Sequence, residues 1–224
     1  MTRTDRITFA IQTILPDIAE RVSVGGQVDE NVCWWELSCC ILSSQVPYTL
    51  ASAAADAIRL TALFRSGAAD EEHLRSTLQE VLEAPLWVEG KERRYRFPFC
   101  RARQLASAHS VITTTNSSLC NLLSSFPNAE QARAWFVANV PGLGPKQASM
   151  FLRNTGLSLD LAILDRHVVR YMSALGLADG DRATLSRLED YRLIEERLRA
   201  HISTTGSQVG LFDLAIWIVM RVAN

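Results

Sequence analysis

No apolar run in this 224-residue chain approaches the roughly 18 residues that a membrane-spanning helix needs. The stretch from Met1 to Glu20 also lacks the unbroken apolar core of a signal peptide. A dominant charge is missing as well. The formal net charge is -1, so overall basicity carries no argument for nucleic-acid binding, and any such site has to rest on a local patch. The five cysteines, Cys33, Cys39, Cys40, Cys100 and Cys120, form no CxxC pair. Their odd number fits reduced cytosolic thiols better than a disulfide framework. They are spread along the sequence, so they predict neither a zinc nor an iron–sulfur site and are expected to be small buried hydrophobes. His73, His109 and His201 show no metal-ligand spacing. Alternating strand patterns, Asn-Gly or Asp-Gly hairpin turns, internal repeats and low-complexity tracts are also missing. What remains is a composition with 48% hydrophobic residues, 21% charged residues and seven prolines. That excludes disorder and is enough for one large domain or two small lobes.

The periodicity is helical almost throughout. It predicts a helix over 4–22, kinked or interrupted at Pro16, and one capped by Asp29 with Val32, Trp35, Cys39 and Leu42 on a single face. Pro47 opens an alanine-rich helix to about Phe64, and Asp70 caps another to about Leu82, ended by Pro85. After a turn-like basic segment, helix resumes over 101–113. Asn128 with Gln131 three residues on is a capping-box pattern that opens a helix through Ala138. Further helices are expected at 145–154, 165–174, about 184–201 and about 207–222, with Gly156 and Gly176 at C-terminal caps. About ten helices in an all-α unit, divided into two lobes with a cleft between them, is the architecture this implies.

The most informative stretch is Val140-Pro141-Gly142-Leu143-Gly144-Pro145-Lys146-Gln147. Two glycines separated by one apolar residue permit a tight turn with positive φ and leave backbone N–H groups uncovered. Leu143 would anchor the turn, and Pro145 suits the first position of the next helix. That helix start then presents N–H groups and positive dipole to an anion such as a DNA phosphate. A plain helix–helix turn without a ligand explains the two glycines equally well. Lys146 falls in the first helical turn, where the dipole and partial burial both disfavour an added positive charge, as an amine nucleophile requires. Binding phosphate as an exposed lysine is the alternative. Nineteen residues further on, Asp165 opens a helix. It can cap that helix, stabilise cationic charge nearby, or do both.

Lys91, Arg93, Arg94, Arg96, Arg101 and Arg103 crowd into thirteen residues beside Glu89 and Glu92. This is either a phosphate footprint or a solvated loop face. Tyr95, Phe97 and Phe99 alternate within it and would share one side if extended, offering at least one ring for base stacking. Trp34, Trp35, Trp87 and Trp135 are expected in the core.

The segment VPGLGPKQASMFLRNTGLSLDLAILDRHVVRYM, residues 140–172, resembles the helix-hairpin-helix DNA glycosylases that carry a Gly/Pro-rich loop and an aspartate. Three further stretches resemble the same superfamily: ELSCCILSSQVPYTLASAA at 36–55, RYRFPFCRARQLASA at 94–108 and FDLAIWIVM at 212–220. The last two are closest to the minimal archaeal and bacterial 8-oxoguanine DNA glycosylase/lyases. The cysteine motif of the endonuclease III-like branch is missing, so no iron–sulfur cluster or other cofactor is expected. The chain ends Arg221-Val222-Ala223-Asn224 where the minimal enzymes usually end in a base-recognising lysine, which leaves the exact base more open than the reaction.

This resemblance implies a two-lobed all-α fold with the hairpin at its cleft, one lobe spanning 30–158 and the other 1–29 plus 159–224. It implies a monomer in the cytoplasm acting on lesion-containing double-stranded DNA, with no membrane association. Lys146 becomes the nucleophile that forms a Schiff base, and Asp165 the group that stabilises charge on the sugar. Gln45 becomes the residue that wedges into the duplex, alongside Gly142, Gly144, Gln147, Arg166, His167, Arg96 and Arg101 as DNA contacts. Phe97, Trp217 and Phe212 become the base pocket. Excision of another modified base, or a non-catalytic hairpin module that clamps phosphate, are the rival readings.

Overall fold

A computed structural model describes residues 2–22, 29–65, 70–178 and 185–222. Eleven α-helices occur among these residues, and the chain divides into two compact units, Gln27–Leu143 and Met1–Gly26 with Gly144–Asn224. The boundary falls inside the glycine hairpin, so the helix over 145–154 groups with the C-terminal residues and not with the lobe expected to end at 158. Among the described residues no single helix is long and apolar enough to cross a membrane.

The unit Gln27–Leu143 contains α2 (Glu30–Leu42), α3 (Tyr48–Leu60), α4 (Glu71–Glu83), α5 (Pro98–Asn116), α6 (Leu119–Ser125) and α7 (Ala129–Asn139). Asp29 caps α2 as expected, its Oδ1 accepting from Asn31 N–H at 2.7 Å. The buried arc of α2 is Cys33, Trp34, Leu37, Ser38, Cys40 and Ile41 together with Cys39 and Leu42, whereas Val32 is exposed and Trp35 half-buried. The inward face is therefore rotated from the one expected. Small residues Ala51, Ala54 and Ala55 are fully buried on α3, which packs against α2 and α4. The helix stops at Leu60, short of Phe64, which lies in a 3-10 turn.

Two features were not legible in the sequence. Strands β1 (Leu86–Val88) and β2 (Lys91–Arg93) pair antiparallel with Trp87 opposite Glu92. They join through Glu89 and Gly90 at φ 51° and 75°, the two left-handed residues that a tight hairpin turn demands. Trp87 stands 73% exposed on this ribbon and not in the core, while its neighbour Leu86 is buried and β1 packs against α3. The other is α6, whose start is capped twice. Ser118 Oγ accepts from Asn121 N–H at 3.1 Å, while Glu30 accepts from Leu119 N–H at 2.7 Å and Cys120 N–H at 2.9 Å. This join also brings Cys33 Sγ and Cys120 Sγ to 3.4 Å, so two cysteines distant in sequence are neighbours in space. Burial pushes the Glu30 carboxyl up, but those N–H groups, the Cys120 thiol and the Trp34 indole outweigh it and hold it below its ordinary range.

In the other unit, α1 (Arg3–Arg21) opens on a Thr2–Asp5 capping box and runs unbroken through Pro16, which lies on its exposed side. Ile11, Leu15 and Ile18 form its buried face. With it are α8 (Pro145–Asn154), α9 (Arg166–Ala174), α10 (Leu188–Ile202) and α11 (Val209–Val222). The expected start of α10 near Thr184 lies outside the described residues. Gly156 and Gly176 end α8 and α9 at φ 72° and 71°. In each case the next residue returns its N–H to the helix: Leu157 to Leu152 O at 3.0 Å and Leu177 to Met172 O at 2.9 Å. These are the glycine caps that the sequence predicts. Helix α11 packs on α1 and α9 around Tyr171, Met172, Phe212, Ala215 and Ile216.

Replacing Glu30 by Gln should lower stability by about 1–2 kcal/mol, because two helix N–H groups lose a charged acceptor. The Glu30 pKa is depressed in the folded chain, so its contribution is present above the unfolded value and lost as pH falls through the folded one. Denaturant melts should therefore show the difference between the two proteins at neutral pH and its disappearance in acid.

Candidate active site

The hairpin is built by its own backbone. Val140 N–H returns to Phe136 O at 2.9 Å to end α7, and Leu143 N–H donates to Val140 O at 3.2 Å, with the Leu143 side chain buried. Gly142 has φ +87°, and a Cβ there would lie 2.7 Å from Cδ and Oε1 of Gln104. The conformation demands glycine, and an added Cβ would also push the end of the Gln104 side chain aside. Gln104 is itself held, its Oε1 accepting from Arg101 Nη1 at 2.6 Å, while Arg101 Nη2 donates to Ser44 O at 3.0 Å. Arg101 is only 8% exposed. Its expected role as a DNA contact is corrected on this ground, since the guanidinium is spent on joining the hairpin to the corner at Ser44. The next residue, Gln45, is exposed and left-handed at φ 64°, an uncommon conformation for a side-chain-bearing residue. It presents a polar side chain outward at a turn, as a duplex wedge requires.

Only one of the two glycines takes positive φ. Gly144 is extended (φ -83°, ψ 176°) and serves as the N-cap of α8, followed by buried Pro145 at the first position. No side chain caps this helix start, which leaves the N–H groups of Lys146 and Gln147 pointing out of the first turn. Both side chains are half-buried. Such an end attracts anions.

Asp165 is the N-cap of α9. Its Oδ1 accepts from His167 N–H at 2.8 Å and from Val168 N–H at 2.9 Å. Among the described residues, Oδ2 makes no hydrogen bond, so a half-buried carboxylate is fixed through one oxygen and open at the other. Arg166 is exposed, and its Nε donates to His167 Nε2 at 3.2 Å. His167 itself is largely buried and presents little surface to a phosphate.

The aromatic residues separate. Tyr95 is buried with its hydroxyl donating to Leu42 O at 2.7 Å. Phe97 is half-buried, with the guanidinium groups of Arg96 and Arg101 lying 5.0 and 5.8 Å from the centre of its ring. Phe99 is exposed in the first turn of α5. The helix begins at Pro98, so the three do not alternate along a strand. Trp217 is 37% exposed and carries the Arg221 guanidinium 4.5 Å from its ring. Phe212 is 1% exposed and packs edge-on against His201. It belongs to the core, which corrects its expected place in the base pocket.

Sequence reading passed over Arg153 and Asp213. Asp213 Oδ1 accepts from Arg153 Nη1 at 2.6 Å, and its Oδ2 accepts from Ile163 N–H at 2.5 Å. Burial pushes Asp213 up to about 7, against the opposing pull of Arg153 and the Ile163 N–H. The signal was present as a lone carboxylate inside the apolar run Val209–Met220.

Residues 15–207 match the family model of 8-oxoguanine DNA glycosylase of the helix-hairpin-helix type. The chain belongs to this family. The 8-oxoguanine DNA glycosylase/AP lyase of Sulfurisphaera tokodaii is 30% identical over 199 residues, 89% of this chain and 87% of the relative. That of Thermoplasma acidophilum is 31% identical over 205 residues, 92% and 87% of the two chains. Among solved structures, the 8-oxoguanine DNA glycosylase of Thermotoga maritima superposes with a TM-score of 0.64 at 26% identity, covering 96% of this chain and 94% of that one. The Methanocaldococcus jannaschii 8-oxoguanine glycosylase/lyase, in complex with a 15mer DNA containing 8-oxoguanine, superposes with a TM-score of 0.59 at 26% identity over 96% and 89% of the two chains. The all-α glycosylase fold and the 8-oxoguanine branch implied by the sequence motifs are those of this family.

In this member, Gly142→Ala should destabilise by about 1–3 kcal/mol through the left-handed backbone and the contact with Gln104. Adding Gln104→Ala should recover the steric part and leave the backbone part. Thermal melts of the single and double variants measure both, and full recovery in the double variant would show that φ carries no cost.

Proposed function

We propose that this protein is a bifunctional DNA glycosylase/AP lyase that excises 8-oxoguanine from double-stranded DNA through a lysine Schiff base and then nicks the strand by β-elimination. One observation carries the reading. In a chain of the 8-oxoguanine glycosylase family, a lysine sits in an uncapped first helical turn directly after a glycine hairpin, and an aspartate with one unengaged oxygen begins another helix. The hairpin and helix start hold a backbone phosphate through N–H groups and dipole. The target nucleotide leaves the stack, and Gln45 fills the space behind it.

With the glycosidic bond breaking, positive charge grows on the sugar, and the Asp165 carboxylate stabilises it through Oδ2. Nζ of Lys146, as the free amine, attacks C1′ while the base departs with the bonding electron pair and is protonated. Opening of the sugar ring gives the imine. Loss of a proton from C2′ then expels the 3′ phosphate. The indole of Trp217 stacks on the base. The chemistry calls on no metal or redox cofactor, and the protein acts as a monomer.

Borohydride added to enzyme and an 8-oxoguanine duplex should trap a covalent complex by reducing the imine. Lys146→Gln should abolish trapping and base release while duplex affinity stays, since the glycine hairpin is untouched. Asp165→Asn should slow excision by at least about 100-fold. Trapping that persists in Lys146→Gln assigns the nucleophile elsewhere. Affinity without trapping in the native protein favours a binding module. For the pocket, a folded Trp217→Ala variant should lose about 1–3 kcal/mol of base stacking, read as weaker binding of the lesion duplex relative to undamaged DNA. An unchanged ratio removes the indole from the pocket.

A further inference from the structure

Between α8 and α9 the chain passes through Leu159–Leu164 in neither helix nor strand, yet Leu159, Leu161, Ala162, Ile163 and Leu164 are all buried. Backbone polar groups in such a segment need partners inside the protein. Three consecutive N–H groups find them on distant side chains. Ala162 N–H donates to Glu195 Oε1 at 2.5 Å, Ile163 N–H to Asp213 Oδ2 at 2.5 Å and Leu164 N–H to Tyr191 Oη at 2.9 Å. The Tyr191 hydroxyl in turn donates to Ala162 O at 2.8 Å. Asp165 follows at once, its own N–H donating to Ile163 O at 2.8 Å. At the other end of the segment Gly210 N–H donates to Leu159 O at 2.8 Å, and a Cβ on Gly210 would lie 2.7 Å from that oxygen. Helix α11 is thereby pressed directly on the backbone. Asp213 is also anchored to α8, because Arg153, in the last turn of that helix, donates to its second oxygen.

This is a costly way to hold a segment. All three side chains are buried, two of them carboxylates, and buried ion pairs add little net stability compared with apolar packing. What they deliver is a backbone whose path is fixed at each of the three residues before Asp165. We propose that Asp213, Tyr191 and Glu195 are positioning residues for Asp165, setting the place at which its open oxygen meets the charge that develops on the sugar. The proposal rests on the role given above to Asp165. It adds residues on α10 and α11 that touch neither DNA nor the reacting atoms.

The test separates positioning from general loosening. Tyr191→Phe removes one oxygen and keeps the ring in the core. Asp213→Asn can serve Arg153 or Ile163 but not both. Each should slow single-turnover excision from an 8-oxoguanine duplex by about tenfold or more, with duplex affinity near native. Borohydride trapping on DNA that already carries an abasic site should stay near native, because no glycosidic bond breaks there and Asp165 has no such charge to stabilise. Native excision rates in the folded variants overturn the proposal, as does an equal fall in excision and in abasic-site trapping. If Asp213→Asn does not fold, Tyr191→Phe decides by the same criteria. Asp165→Asn runs alongside: should it excise at the native rate, the failure lies in the role assigned to Asp165, and positioning falls with it.

Discussion

Buried backbone that is neither helix nor strand has to borrow its hydrogen-bond partners, and the C-terminal unit is organised around one such stretch. In the middle of a helix each residue pairs its N–H and C=O within the helix. Leu159–Leu164 has no such recourse. Glu195, Asp213 and Tyr191 supply the acceptors, and Leu159, Ala162 and Leu164 of the same stretch join the core that holds Tyr171 and Phe212. The position of Asp165 follows from this, because a residue at the end of a fixed segment and at the start of a helix has little freedom left. A carboxylate held by one oxygen at an N-cap remains able to act through the other.

The same economy of charge recurs in the N-terminal unit, directed at loops and helix ends. Glu30 leaves α2 to cap α6, and Arg101 leaves α5 to hold the Ser44 carbonyl and Gln104, which in turn abuts Gly142. Charged side chains in these places act as fasteners between backbone segments that have no other reason to meet. Arg101 illustrates the consequence for function. Its place in a basic cluster marks it as a phosphate ligand by composition, but a guanidinium with two internal acceptors and almost no exposure is not available to one. Arg96, next to the same phenylalanine, remains exposed.

Much of the architecture was legible because its signals are local. Asp29, Asn128, Asp165, Gly156 and Gly176 stand at helix ends, and each acts through residues within four positions of itself. Helix α8 was read to the residue because Pro145 opens it and Gly156 closes it. The hairpin and its lysine were legible for the same reason. What failed was equally physical. The β1–β2 turn uses Glu-Gly in place of the usual Asn-Gly or Asp-Gly, and α6 draws part of its capping from Glu30, 89 residues away. The inward faces of α2 and of the Trp87 ribbon depend on what packs over them, which periodicity in one segment cannot state.

By itself, then, the sequence determined most of the helices and their local caps, the hairpin turn and the motifs that carry family membership, because these depend on neighbours along the chain and on residue chemistry. Tertiary structure alone decided that Phe212 lies in the core, that Arg101 is spent internally, that Cys33 meets Cys120, and that a carboxylate in the middle of an apolar helix holds the backbone ahead of Asp165. Each of those outcomes turns on burial and on partners tens of residues away. Exposure and hydrogen-bond supply at such a position are properties of the folded surroundings, not of the residue or its neighbours in sequence.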